Sequence, residues 1–138
     1  MTARFFHEHL PLSGKESGRV VAAARFPGDS DWFSGHFPGN PILPGVALIA
    51  LVEEAVIERE RGEGRSLAIT GVRRVRFRLP VRPGDEVTLE AMPTSHPKGP
   101  AYTFTIRLAG ETACSGILTA EIFPLRSDRP MQTGRKTR

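Results

Sequence analysis

Residues 45–61 read GVALIALVEEAVIERER. The first two turns of this segment are apolar nearly all round, and charged side chains begin only at Glu53. A helix that is apolar on every side is typical of the interior of a domain. The pattern therefore predicts a long helix that starts inside the core, emerges into solvent over Glu53–Arg61 and ends at Gly62 and Gly64.

The chain after Gly64 alternates between apolar and polar residues, which indicates strands with one buried face. Four strand-like runs follow the helix: Val75–Leu79, Val87–Ala91, Tyr102–Leu108 and Cys114–Ile122. A fifth run, Gly18–Phe26, precedes the helix. Pro83–Asp85 and Ala109–Glu111 are predicted to be tight hairpin connections. Because the helix is the one available cover for the sheet, the predicted fold class is α+β, a curved antiparallel sheet wrapped around one long apolar helix.

Length and charge narrow the class of protein. The 138 residues fit one domain, and we expect a folded body over residues 1–123 and a disordered basic tail over residues 124–138. The net charge of +4 lies wholly in that tail, because the rest of the chain holds 14 Lys/Arg and 14 Asp/Glu. The body is therefore not expected to bind nucleic acid.

The sequence also indicates a compartment. No apolar run approaches the roughly 20 residues of a membrane span, and the polar first residues do not resemble a secretory signal. The single cysteine, Cys114, cannot form an internal disulfide, and no Cys/His cluster has zinc spacing. We expect a cytoplasmic protein without a membrane span, metal or cofactor, in which Cys114 is a small buried apolar side chain.

The stretch Gly35–Val46, GHFPGNPILPGV, carries the chemical signal. It holds one histidine, His36, in a loop that three prolines restrict before the apolar helix starts. The N-terminus of a buried helix offers N–H groups without intrahelical partners and a positive dipole end, and Gly45 lets a ligand approach the backbone there. A bound carbonyl would be polarised, so His36 could act as general base on the adjacent carbon. This arrangement suits proton removal next to a carbonyl or thioester.

This motif resembles the 3-hydroxyacyl-(acyl-carrier-protein) dehydratases of bacterial fatty-acid synthesis, the FabZ/FabA type. The later stretch Val75–Asp85, VRFRLPVRPGD, resembles the same family, and the resemblance covers about Val20–Phe123. It implies the hotdog fold, in which a sheet wraps around a central helix. It also implies dehydration of 3-hydroxyacyl thioesters of acyl carrier protein or CoA to 2-enoyl thioesters, in a homodimer or higher oligomer.

The resemblance implies roles for residues of the motif. His36 matches the catalytic histidine that removes the C2 proton, and Gly45 matches the glycine whose backbone N–H holds the thioester carbonyl. Phe37, Pro44 and Val46 belong to the same motif and are expected to bind substrate. Trp32, Phe33 and Phe37 surround the motif and have two interpretations. They could line an acyl pocket, or, as we favour, they pack the loop onto the helix.

One position departs from the family pattern. The family's acid is a carboxylate on the partner's helix, fourteen positions after the histidine, and in this chain that position is Ala50. Glu54 is a candidate substitute acid through a water relay, because it lies one turn further on the same helix face. In the favoured interpretation, Glu53 and Glu54 instead form a solvated or interface face of the helix.

The missing acid leaves three functions open. The first is a dehydratase in which His36 is the base. The second is a non-catalytic acyl-thioester-binding or partner subunit of a heteromeric dehydratase, paired with a homologue that keeps the acid. The third is a hotdog thioesterase in which a helix carboxylate activates water, although thioesterases of this fold generally lack the histidine–proline motif.

Basic residues crowd one strand and the turn after it: Arg73, Arg74, Arg76, Arg78 and Arg82. Arginines that alternate along a strand usually form a solvated outer face. The resemblance adds a second interpretation, in which they bind the phosphate of phosphopantetheine or an acidic helix of a carrier protein.

Overall fold

A helix, α1 (Gly45–Gly62), lies against one face of an antiparallel sheet. The computed structural model describes residues 18–33, 39, 41–97 and 99–124, together with the backbone of residues 8–10. The strands are β1 (Glu8–Leu10), β2 (Val20–Arg25), β3 (Arg65–Phe77), β4 (Glu86–His96), β5 (Gly99–Leu108) and β6 (Glu111–Pro124), and Asp31–Phe33 forms a 3-10 helix. Their order across the described sheet is β1-β2-β4-β5-β6-β3, so β1 and β3 form its edges.

The core lies between the sheet and one side of α1. Leu51, Val52 and Val56 face the sheet and have no exposed surface. They pack with buried strand residues that recur at every second position, including Leu89, Ala91, Phe104, Ile106 and Leu118. Burial of each large side chain contributes about 1.5–3 kcal/mol to folding. The predicted α+β architecture, with a sheet wrapped around one helix, is confirmed.

The sheet covers only one side of α1. Val46 is 62% exposed, and Ile49 and Ala50 are only partly buried. The prediction that the first two turns are buried all round is therefore wrong for the single chain, because one sheet layer cannot surround a helix. We call Val46, Ile49 and Ala50, with the half-buried Glu53 and Glu54, the open face of α1.

The C-terminal end of α1 remains in contact with the sheet. Glu60 is only 6% exposed, and its carboxylate accepts hydrogen bonds from the Tyr102 hydroxyl and from Arg65 Nε. Burial alone would raise the pKa of Glu60, but these hydrogen bonds and the charge of Arg65 hold the pKa below its ordinary value. The prediction that Glu53–Arg61 emerges into solvent is therefore wrong at Glu60, since paired donors permit a buried carboxylate.

One of the two predicted hairpins is confirmed. Ala109 and Gly110 have φ values of 53° and 84° and join β5 to β6, as a two-residue hairpin turn requires. Pro83–Asp85 forms a turn but not a hairpin, because β3 and β4 are not neighbours in the sheet. Here the chain crosses from the sheet edge towards its middle, and Gly84 N–H donates to the Phe26 carbonyl at 2.9 Å.

Two further sequence predictions concern the C-terminal tail and membrane spans. The tail predicted to be disordered lies outside the described residues, apart from Pro124 at the end of β6. In the parts of the chain that the structure describes, α1 is too polar to cross a bilayer, and no other helix is long enough.

The buried Glu60 carboxylate gives a test of this architecture. Glu60→Gln is expected to lower the free energy of unfolding by about 1.5–3 kcal/mol at pH 7, because hydrogen bonds to a charged acceptor are lost. The pKa of Glu60 is lower in the folded state, so its contribution is present above the ordinary value of 4.5 and is lost as pH falls through the folded pKa. Urea denaturation between pH 7 and pH 3 measures this difference.

The matched control for this measurement is Glu58→Gln, two residues earlier on an exposed part of the same turn. Its ion pair with Arg61 spans 3.9 Å between two exposed side chains, and such pairs contribute less than about 1 kcal/mol. Equal losses in the two variants, or a Glu60→Gln loss that does not change with pH, would contradict the proposed role of Glu60.

Candidate active site

The start of α1 is tied to the chain segment that follows β3. Leu43 N–H donates to the Val81 carbonyl at 2.7 Å, and Ala47 N–H donates to the Pro44 carbonyl at 3.0 Å. Pro44 is the N-cap residue, and its side chain cannot accept a hydrogen bond. The N–H groups of Gly45 and Val46, which precede Ala47, have no acceptor within the helix. They are the groups that a ligand carbonyl could use.

Gly45 packs against the aromatic ring of Phe77, the last residue of β3. A Cβ placed on Gly45 would lie 2.5 Å from Phe77 Cζ and 2.7 Å from Phe77 Cε1, closer than real carbon contacts allow. Gly45 is not among the residues with positive φ, so its backbone conformation would accept a side chain. A side chain at this position would have to displace the neighbouring ring, which supports the packing interpretation of Gly45 and leaves the binding interpretation open.

A cleft of about 300 Å³ opens between the start of α1 and residues 77–81. Its lining is mainly apolar and comprises Ile42, Leu43, Gly45, Leu48, Phe77, Arg78, Leu79, Pro80 and Val81. A small apolar cleft with a few backbone polar groups is the usual setting for a small-molecule site. An acyl group could occupy the apolar part while its carbonyl points at the helix N-terminus.

A wider polar hollow of about 600 Å³ shares Arg78 and Leu79 with this cleft. It lies along β5 and β6, and its other lining residues are Thr105, Arg107, Glu111, Thr112 and Ser115. Arg107 Nη1 also lies 3.5 Å from Glu90 Oε1. The lining holds two guanidinium groups, three hydroxyl groups and a single carboxylate. The hollow therefore suits an anion more than a cation.

The arginines of residues 73–82 lie on the surface. All five are exposed, as predicted for a solvated outer face. Their alternation is interrupted where Arg74 adopts a φ of 55° and the pairing of β3 with β6 shifts between Arg73 and Arg76. The end of β3 therefore departs from regular strand geometry just before Phe77.

The predicted site residues are only partly covered by the structure. Gly45 lines the cleft, Pro44 caps α1, and Val46 points away from the core into solvent. His36 and Phe37 lie outside the described residues. Their roles, like the binding of a carbonyl by Gly45, stay predictions.

Ala50 and Glu54 both lie on the open face of α1. At 1.5 Å per residue, Glu54 is about 13.5 Å along the helix axis from Gly45. Direct proton transfer needs about 3 Å, or one bridging water. Within one chain, Glu54 is therefore too far from a carbonyl at Gly45 to act as the predicted acid.

Several other side chains have structural roles. Phe33 is buried in the core and Trp32 packs against it, which confirms the packing interpretation for these two. Cys114 is completely buried, and burial raises the pKa of its thiol to about 11, as expected for an inert apolar side chain. In the described part of the chain, no cluster of His, Cys, Asp and Glu could hold a metal ion.

Sequence reasoning missed the contact between Phe77 and Gly45. Period-two alternation assigned Phe77 to the buried strand face together with Val75, but its side chain is 54% exposed at the end of the strand. A signal was present in the sequence, because a glycine at the start of an apolar helix can indicate that another group approaches the backbone closely.

Comparisons with known proteins agree with this architecture. The family model for ApeI-like proteins, described as ApeI dehydratase, matches residues 13–117. The 3-hydroxyacyl-(acyl-carrier-protein) dehydratase FabZ of Oenococcus oeni is 34% identical over 106 residues, which cover 72% of this chain and 76% of the relative. FabZ of Bacillus cereus strain AH820 is 30% identical over 116 residues, which cover 78% of each chain.

Solved structures share the fold at lower identity. The dehydratase heterocomplex ApeI:P from Xenorhabdus doucetiae matches with a TM-score of 0.70 and 24% identity, over 84% of this chain and 98% of that one. The fluoroacetyl-CoA thioesterase FlK matches with a TM-score of 0.64 and 17% identity, over 82% of this chain and 91% of that one. These likenesses support the hotdog fold, and the match of the family model to residues 13–117 shows that the chain belongs to the ApeI-like dehydratase family.

Proposed function

We propose that this protein dehydrates 3-hydroxyacyl thioesters to 2-enoyl thioesters in fatty-acid-like biosynthesis. The observation that carries the proposal is the apolar cleft of about 300 Å³ at the start of α1, which Gly45 lines. A thioester carbonyl can accept a hydrogen bond from the first N–H groups of α1, at the positive end of the helix dipole. The FabZ relatives, named as 3-hydroxyacyl-(acyl-carrier-protein) dehydratases, support this reaction class.

In the proposed mechanism, His36 is the general base. It lies nine residues before Gly45 in the motif. Polarisation of the carbonyl stabilises negative charge that develops at C2 when His36 removes the C2 proton. The electron pair left by that proton forms the C2–C3 double bond, and the C3 hydroxyl accepts a proton from an acid and leaves as water.

His36→Ala is expected to lower the dehydration rate about 10²–10⁴-fold, the usual contribution of a general base. Affinity for a saturated acyl thioester, which has no hydroxyl to eliminate, is expected to change little. The rate is measured by enoyl thioester absorbance, and His96→Ala is the matched control. An unchanged rate in His36→Ala would contradict the mechanism, and thiol release from the saturated thioester would indicate a thioesterase instead.

The second candidate is a partner subunit of a heteromeric dehydratase. The methyl side chain of Ala50 cannot act as the general acid, and Glu54 of the same chain is about 13.5 Å from Gly45 along the helix axis. A second chain packed on the open face of α1 could supply the acid. The similarity to a structure described as a dehydratase heterocomplex, ApeI:P, supports a different chain as that second chain. We propose that this chain is a homologue that keeps the acid, and a second copy of the present chain is the alternative.

Ala50→Glu tests whether position 50 belongs to the reaction site of an oligomer. If it does, the purified variant is expected to dehydrate about 10²–10⁴-fold faster than the wild-type protein, since a general acid contributes this much. Ala50→Gln is the matched control, because it has nearly the same size but no acidic proton. Equal rates for the Glu and Gln variants would contradict the placement.

The wild-type protein on its own distinguishes the two candidates. A purified homo-oligomer with an ordinary turnover number of about 1–10³ s⁻¹ would contradict the partner-subunit candidate. In that case, an unchanged rate in Glu54→Gln would also exclude Glu54 of a neighbouring copy as the substitute acid.

The polar hollow beside the cleft is the proposed site for the phosphate of the pantetheine arm, in acyl carrier protein or CoA. Arg78 lines both concave surfaces, so a thioester with its carbonyl at Gly45 could extend its arm towards Arg78 and Arg107. The exposed arginines of residues 73–82 would also attract the acidic surface of a carrier protein.

Arg78→Gln and Arg107→Gln are each expected to weaken acyl-CoA binding up to about fivefold, since an exposed ion pair contributes up to about 1 kcal/mol. Binding of the corresponding N-acetylcysteamine thioester, which lacks phosphate, should not change. Isothermal titration calorimetry at low ionic strength measures both, with Arg61→Gln at the far end of α1 as control. Equal losses for the two ligands would contradict the phosphate assignment.

A further inference from the structure

The ring of Phe77 lines the cleft beside Gly45, and the proposed mechanism gives it no role. Its Cζ and Cε1 atoms occupy the space where a side chain at residue 45 would begin, 2.5 and 2.7 Å from an ideal Cβ. The core residues Phe26 and Phe104 are at most 2% exposed, whereas Phe77 is 54% exposed. Phe77 is therefore a surface wall of the cleft and not part of the packed core.

Three other lining residues of the cleft, Leu43, Leu48 and Val81, are held in place by a hydrogen bond or by burial. Leu43 is tied to Val81 by a hydrogen bond of 2.7 Å, and Leu48 is buried on the core side of α1. The three atoms nearest to an ideal Cβ on Gly45 all belong to the Phe77 ring. Among the residues that line the cleft, this ring is therefore the element whose size and position most directly set the space beside Gly45.

We infer that Phe77 is a specificity-determining residue, whose ring excludes acyl groups that carry a substituent at C2. This inference rests on the proposed binding of the thioester carbonyl by Gly45. An oxygen that accepts from Gly45 N–H lies about 2.9 Å from the nitrogen, which brings the thioester carbonyl beside the residue that the Phe77 ring packs against. A methyl branch at C2 would then compete with the ring for the space beside Gly45.

The test compares the affinities of two saturated ligands, butyryl-CoA and 2-methylbutyryl-CoA, by isothermal titration calorimetry. Wild-type protein is expected to prefer the unbranched ligand, and Phe77→Ala is expected to shift the ratio about tenfold or more towards the branched one, as one carbon in an apolar pocket does. Phe77→Leu should give an intermediate ratio. Phe123→Ala is the matched control, because Phe123 is 47% exposed at the end of β6 and should not alter the ratio.

The outcomes separate this inference from the proposed function. An unchanged ratio in both Phe77 variants, with binding of butyryl-CoA intact, would overturn the role of Phe77 alone. Failure of the wild-type protein to bind either thioester would overturn both proposals. Binding does not need the acid that Ala50 replaces, so a protein that is inactive in dehydration still gives a decisive result.

A double-mutant cycle tests the pairing of Gly45 with Phe77 directly. Gly45→Ala introduces a Cβ that must displace the ring, so it is expected to weaken butyryl-CoA binding. In the Phe77→Ala background the displaced ring is absent. The factor by which Gly45→Ala weakens binding should then be at least about threefold smaller, since the effects of mutations at contacting residues are not additive. Equal effects of Gly45→Ala in the two backgrounds would overturn the pairing.

Discussion

The helix α1 carries more apolar surface than one sheet can cover, and this constraint shapes the rest of the structure. Leu51, Val52 and Val56 are buried against the sheet, while Val46 is left 62% exposed on the other side. Burial of such side chains contributes about 1.5–3 kcal/mol each, so a second layer over the open face would be stabilising. The same face holds Ala50, the position that the family resemblance assigns to the acid. The open face of α1 therefore matters both for the stability of the fold and for the proposed chemistry.

The two ends of α1 are built differently. The N-terminal end begins at a glycine in an apolar cleft, with N–H groups that the helix itself cannot satisfy. The C-terminal end carries Glu60, a carboxylate at the negative end of the helix dipole, where it is unfavourable without compensation. Tyr102 and Arg65 supply that compensation. This cluster fixes the C-terminal end of α1 to the sheet, and the hydrogen bond of Leu43 to Val81 holds the other end, about 22 Å away along the axis.

The main elements could be predicted from sequence because their signals are local. The apolar run of α1, the alternation in β4 to β6 and the Ala109–Gly110 turn depend on neighbouring residues alone. The prediction of a hairpin at Pro83–Asp85 is wrong because a turn motif does not tell which strands it joins. The burial of Glu60 was missed because its donor Tyr102 lies 42 residues away in sequence. Phe77 was placed in the core because alternation does not tell where a strand leaves the packed layer.

The proposed active site consists of two half-sites that come from two chains. This division explains how a chain with alanine at position 50 could still take part in the reaction. Carbonyl binding at Gly45 and proton removal by His36 use groups of one chain, whereas the resemblance places the acid on the helix of another. A chain with Ala50 can then keep the first half-site and lack only the second. Two such chains would form two incomplete sites, but pairing with an acid-bearing homologue would complete one. Loss of the acid is therefore compatible with retention of the cleft, of Gly45 and of the ring that faces it.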